Sequence, residues 1–200
     1  TPKSGYEFVS YNVIDVNGSQ KTYTSQSLTL TLNDKTYILV LAKPKNFNSS
    51  PQIVAGSRTV YAIDSGGNLY AWGSNELGQL GVVTSKTLTK PTLIMTGVVK
   101  VSTSLGGNVG DAPHTLILTD NNTLYSVGNN TYGQLGRTGN TTIPMKVNIS
   151  GKIKDISAGF DHTLVLIENG DLYGCGNNQK GQLGITNFGG EVREFVKIAS

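Results

Sequence analysis

One thirteen-residue phrase is written three times in this chain: LYAWGSNELGQLG from Leu69, LYSVGNNTYGQLG from Leu124 and LYGCGNNQKGQLG from Leu172. Self-similarity at a period of about fifty residues means stacked supersecondary units, none able to cover its own apolar surface alone. The residues upstream align as well. HTLIL at His114 to Leu118 matches HTLVL at His162 to Leu166, and Ala55-Gly56 matches Ala158-Gly159. The stretch from Gly81 to Val101 equals that from Gly136 to Ile156, so the longer first period comes entirely from Leu105 to Pro113, LGGNVGDAP. That is a loop insertion into an otherwise regular unit.

Each unit predicts a small antiparallel sheet. A strand such as IKDIS leads into HTLVL; Asn169-Gly170, or Gly66-Gly67 in the first copy, then turns the chain back through DLYGCG. Such pairs favour hairpins because they tolerate positive φ. A fourth strand is expected near Thr92–Met95 and Met145–Ile149. Leu116, Ile117 and Leu118 are consecutive and apolar, so their strand is covered on both faces. A lone four-stranded sheet cannot do that. Stacked sheets can, which is the architecture of propeller blades. The fold class is therefore all-β, a partial β-propeller of four-stranded antiparallel blades with a small N-terminal β-module.

Within the phrase, the glycines at 73, 128 and 176, at 78, 133 and 181, and at 81, 136 and 184 are expected to supply positive φ or close backbone approach. Gln79, Gln134 and Gln182 are expected to satisfy turn backbone groups, and Leu80, Leu135 and Leu183 to anchor the turn between blades. The letters that drift are Glu76-Leu77, Thr131-Tyr132 and Gln179-Lys180. A constant frame with free letters at its tip reads as an exposed loop, which binds a partner or merely faces water. The candidate partner-binding residues are Leu77, Tyr132 and Lys180 on these tips, with Leu105, Asn108 and Asp111 on the insertion.

The pattern LYxxG[SN]NxxGQLG, preceded by AGxxHTLxL, resembles the regulator of chromosome condensation repeat, from about Ile53 to Ser200. The resemblance implies a propeller with a broad protein-binding face. Members of that family serve as an exchange factor for a small GTPase, as chromatin and ubiquitin-ligase adaptors, as a plant ultraviolet receptor and as a secreted β-lactamase inhibitor. A shared fold does not choose among them. This sequence departs from the pattern at Thr59, which stands where His114 and His162 stand. It reads as blades at about 52–100, 101–153 and 154–195, with Val196–Ser200 matched to Val99–Thr103 as the stub of a fourth. Three blades are too few to close a ring. The expected repairs are continuation beyond Ser200, several chains completing one ring, or another component capping the arc.

Residues 1 to about 45 lack the repeat and read as a β-module: the tail of an immunoglobulin-like domain, a degenerate blade or a docking element. Leu28, Leu30 and Leu32 alternate, turn at Asn33-Asp34-Lys35 and return through Tyr37 to Leu41; an earlier strand lies in YEFVSYNVIDV.

Little points to catalysis. His114 and His162 share one register, which favours a structural role, and Cys175 replaces Trp72 and Val127 as a small core residue. Asp161 and His162 are adjacent and face opposite ways on a strand. No HExxH, CxxC or phosphate-loop motif occurs, so no enzyme, cofactor or metal is expected. A net charge of +3 does not argue for nucleic acid, even with Lys86, Lys90 and Lys100 or Lys152 and Lys154 grouped. No apolar run is long enough for a membrane span. The first residue, Thr1, reads as the start of a processed product or of a segment of a longer chain. Only 14% of residues are charged, against roughly 25% in ordinary domains; this leans toward an extracellular, cell-surface or virion setting. The function read from sequence is non-enzymatic protein–protein interaction or assembly. The alternative is a guanine-nucleotide exchange factor or other regulator of a small GTPase.

Overall fold

The computed structural model describes residues 6–14, 20–23, 37–44, 50–84, 87–105, 113–186 and 189–200. Every regular element among them is a strand. An N-terminal sheet holds β1 (Tyr6–Ile14), β2 (Gln20–Tyr23) and β3 (Tyr37–Pro44) in the order β2-β1-β3, antiparallel throughout. The expected hairpin arm at Leu28 to Leu32 lies outside the described residues; its return strand, β3, pairs with β1.

Twelve further strands form three four-stranded antiparallel sheets, each laid down in chain order. The first comprises β4 (Gln52–Ala55), β5 (Thr59–Ile63), β6 (Leu69–Gly73) and β7 (Leu88–Met95). The second comprises β8 (Val98–Thr103), β9 (His114–Thr119), β10 (Leu124–Gly128) and the short β11 (Met145–Lys146). The third comprises β12 (Ile153–Ala158), β13 (His162–Ile167), β14 (Leu172–Asn177) and β15 (Glu191–Ala199). These sheets are the blades of a partial propeller.

One expectation is corrected. Val196–Ser200 do not open a fourth unit: β15 runs to Ala199, with Val196 opposite Gly174 and Lys197 opposite Tyr173, as the outer strand of the third sheet. A short alternating string matches any strand in two registers, so it cannot identify one. Distance from the turn does. Gly81 precedes Leu88 by the same interval as Gly184 precedes Glu191, which makes β15 the counterpart of β7.

The blades are held by two apolar seams. In the first, Tyr61, Ile63, Leu69, Ala71, Leu80 and Ile94 meet Val98, Val101 and Ile117. In the second, Leu116, Leu118, Leu124 and Val147 meet Ile153, Ile156, Val165 and Ile167. Strand β8 lies against β4 and β5, and β12 against β8 and β9, so the first strands of the blades line the inside of the arc. Burying such side chains fully contributes about 1.5–3 kcal/mol each. The second seam also carries polar bonds. Lys100 and Asp155 pair at 2.5 Å between β8 and β12, and the Ala158 N–H donates to Ser102 Oγ at 2.9 Å. At the opposite end, Asn122 adopts φ 62°, tolerable for asparagine. Its amide donates to Gly151 O at 3.0 Å and accepts from the Ile153 N–H at 2.8 Å.

Candidate interaction face

Because consecutive strands run antiparallel, the first and third connections of every blade emerge at the same end of its sheet. Backbone bonds tie each such pair: Ser74 N–H to Arg58 O, Asn129 N–H to Pro113 O and Asn177 N–H to Asp161 O, all at 2.9 Å. This end carries Leu77, Leu105, Tyr132 and Lys180, the candidate residues from sequence that lie among the described residues. Leu105, on the β8–β9 connection, is 72% exposed, and Leu77, on the β6–β7 tip, is 42% exposed. Tyr132 is half-buried on the equivalent tip of the second blade and Lys180 exposed on that of the third. Asn108 and Asp111 lie outside the described residues. Phe160, on the β12–β13 connection, is 48% exposed on the same face and was missed. Its signal was a large apolar letter where the first copy has a polar Ser-Arg pair.

The frame beneath the tips is the same in all three blades. Gln79, Gln134 and Gln182 accept through Oε1 from the N–H groups of Leu77, Tyr132 and Lys180, at 3.0, 2.9 and 2.9 Å. The asparagines at 75, 130 and 178 accept through Oδ1 from the N–H groups of Leu80, Leu135 and Leu183, at 2.9, 2.9 and 3.0 Å. Their amides reach onward as well, Asn75 to Val82 O and Thr84 O, and Asn130 to Arg137 O. All nine repeat glycines have positive φ. At Gly78 and Gly133 space is also demanded: a Cβ would stand 2.6 Å from Thr142 Cα and 2.5 Å from Arg193 Cα, which cross over these turns from the next blade. Arg193 further donates to Thr131 O at 3.0 Å. The drifting letters thus sit on a rigid, twice-braced support.

Below the face, buried polar links cross both seams. The Thr163 hydroxyl donates to Gln134 O at 2.7 Å, and His114 Nε2 lies 2.7 Å from Thr163 Oγ1. Since the hydroxyl proton is used, Nε2 carries the imidazole proton and donates. Burial, with a smaller contribution from His162, pulls the His114 pKa down to about 3, so the ring is neutral. In the first seam, where Thr59 replaces the histidine, Tyr61 takes over. Its hydroxyl donates to Gln79 O at 2.8 Å and accepts from Thr115 Oγ1 at 2.9 Å. Burial pushes that phenol up to about 12. Where Thr59 stands in place of the histidine, the link is supplied two residues later.

The remaining chemical groups fit packing roles. Burial raises the Cys175 thiol, which lies 3.6 Å from Gln134 O. The Asp161 carboxylate accepts from Asn177 Nδ2 at 2.7 Å and stands 3.7 Å from His162 Nδ1, short of a hydrogen bond. Trp72 is half-buried opposite Val60, on the first blade's face away from the second. Among the described residues no group of three His, Cys, Asp or Glu could hold a metal ion, and no helix is long and apolar enough to cross a membrane.

Two models of the regulator of chromosome condensation (RCC1) repeat match the chain, one over 66–108 and 121–166, the other over 52–79 and 153–182. Together they span more than half of it. The chain belongs to the RCC1 repeat family. RCC1-repeat relatives include the E3 ubiquitin-protein ligase HERC2 of Homo sapiens, 37% identical over 99 residues, which are 48% of this chain and 2% of HERC2. The Protein RCC2 homolog of Danio rerio is 44% identical over 82 residues, 40% of this chain and 15% of that protein. Among solved structures, Prp20p from Saccharomyces cerevisiae, described with its binding to Gsp1p and histones, superposes with a TM-score of 0.63 at 20% identity. That superposition covers all of this chain and 52% of Prp20p. The RCC1-repeat region therefore spans a small part of the curated relatives and about half of a solved propeller.

Proposed function

We propose that this chain is a non-catalytic protein-recognition module, built as repeats over 46–200 with a separate β-module over 1–45, whose loop face contacts a protein partner. The observation that carries this is the gathering of Leu77, Leu105, Tyr132 and Lys180 at one end of the blades, on turns held by the same bonds in every copy. Exposed apolar side chains on pre-organised turns lower the entropic cost of binding. The low charge content suits a secreted or surface setting. A photo-cross-linking residue at position 105 or 77 is expected to capture the partner in the native source, and one at position 152, at the opposite end of the blades, is not. Capture from position 152 alone would contradict the reading.

The second reading is regulation of a small GTPase by nucleotide exchange, favoured by the structural likeness to a protein described with Gsp1p. A nucleotide-release assay across a GTPase panel separates the two. Catalytic acceleration by the chain sinks the binding-only reading.

A further inference from the structure

An arginine stands in the second blade where the other copies carry an aliphatic residue. Arg137 follows the Gln-Leu-Gly turn, as Val82 and Ile185 do in the first and third copies, and Ser126, its neighbour on β10, replaces Ala71 and Gly174. The half-buried guanidinium spends its fork on neutral acceptors. Its Nε donates to the buried Ser126 Oγ at 2.9 Å, and one terminal nitrogen donates to Ser126 O at 2.6 Å. The other donates to Thr138 O at 3.1 Å and Asn140 O at 2.8 Å, and lies 3.8 Å from Met145 Sδ. One planar group, whose donors are fixed relative to one another, thus fastens two carbonyls of an exposed connection to a buried strand residue.

The connection so fastened reaches the preceding blade. Asn140 Oδ1 accepts from the Thr142 N–H at 2.7 Å and from its hydroxyl at 2.9 Å. Thr142 lies over Gly78 so closely that a Cβ there would stand 2.6–2.8 Å from its Cα, Cβ and Cγ2. Gly78 adjoins Leu77, an exposed contact of the loop face. At the next boundary one step suffices: Arg193 covers Gly133 and donates directly to Thr131 O. We propose that Arg137 is a positioning residue for partner recognition: acting through Asn140 and Thr142, it holds the Leu77 tip of the preceding blade in its contact conformation. A tip ordered before the partner arrives loses less entropy on binding, so Arg137 sets affinity without touching the partner. This inference rests on the loop-face reading for what Leu77 does, not for how Leu77 is held.

Hydrogen exchange at the Leu77 and Gly78 amides of the full chain is the test. Arg137→Ala is expected to speed it about threefold to tenfold while the Tyr132 amide keeps its wild-type rate. Arg137→Lys retains the charge without the fork and is expected to loosen the same amides. Asn140→Ala keeps the guanidinium and its carbonyl acceptors but removes the acceptor for Thr142, and is expected to loosen them too; being confined to an exposed side chain, it carries the test if circular dichroism melts show Arg137→Ala unfolded. Arg193→Ala is expected to loosen Tyr132 and spare Leu77. The proposal is overturned if Leu77 and Gly78 keep wild-type rates in folded Arg137→Ala or in Asn140→Ala, if Arg137→Lys restores those rates, or if Arg193→Ala loosens Leu77 as much. With a photo-cross-linking residue at position 77, Asn140→Ala is expected to lower capture there and leave capture from position 105 unchanged; undiminished capture from position 77 also overturns the proposal. A tip that loosens as expected, with no capture from position 77 even without Asn140→Ala, sinks the loop-face role of Leu77 and leaves the coupling between Arg137 and the tip standing.

Discussion

The middle blade and its neighbours use nearly the same strand in different surroundings. In β9 every side chain from His114 to Thr119 is buried. In β5, Thr59, Tyr61 and Ile63 are buried while Val60 and Ala62 are half-buried; in β13 the phase is reversed, with Thr163, Val165 and Ile167 buried and His162, Leu164 and Leu166 half-buried. The inward face of each flanking strand is the one that meets the middle blade. Burial here is a property of the neighbour, not of the letter. A leucine contributes to stability in proportion to the sheet stacked against it.

The largest effect should come from truncating equivalent leucines on the two kinds of face. Leu124→Ala, in the second seam, is expected to cost about 2–5 kcal/mol in urea unfolding, and Leu172→Ala, its counterpart on the outer face, less than half as much. Equal costs would break the comparison. The polar links sharpen it. Tyr61→Phe leaves Gln79 O without its donor and Thr115 without its acceptor inside the first seam, and is expected to cost about 1–3 kcal/mol.

The His114 ring gives a pH signature. Its pKa is about 3 in the fold against an ordinary 6.5, so between those values the unfolded chain takes up a proton that the folded chain refuses. Stability from this group is complete above about pH 6.5 and falls as pH drops, by at most about 1.4 kcal/mol per unit. His114→Gln should flatten that slope in unfolding curves taken between pH 6.5 and 4.5. The smallest effect belongs to the pair at the inner edge of the second seam. Lys100→Ala removes the partner of a carboxylate that is half exposed, and is expected to cost less than about 1 kcal/mol.

Much of the frame could be read from the letters because each requirement there is local. A positive φ asks for glycine at 73, 78 and 81 and at their counterparts, and a turn N–H asks for an acceptor at Gln79, Gln134 and Gln182. Consecutive apolar residues at Leu116 to Leu118 announced a strand covered twice. Relations between blades were harder to read. The substitution of Tyr61 for the missing histidine depends on a phenol reaching the position that an imidazole occupies from a residue two places earlier, and no spacing rule displays that. The part played by Asn75, Asn130 and Asn178 was visible as a repeated letter but not as a bond, since asparagine is common in any turn. Val196–Ser200 were misplaced because a five-residue alternation carries no register of its own. For the interaction face, sequence identified the tips; strand polarity then placed them at one end, with Phe160 added from a connection whose letters vary among copies.

Native-state hydrogen exchange resolved along the three second strands tests most directly the claim that stability in this arc comes from stacking on both sides. The account predicts that amides of β9 and β10 exchange only through global unfolding, while those of β5 and β13 also exchange through lower-energy openings of the flanking blades. Uniform protection across the three strands, or greater protection in a flanking strand than in β9, would contradict it.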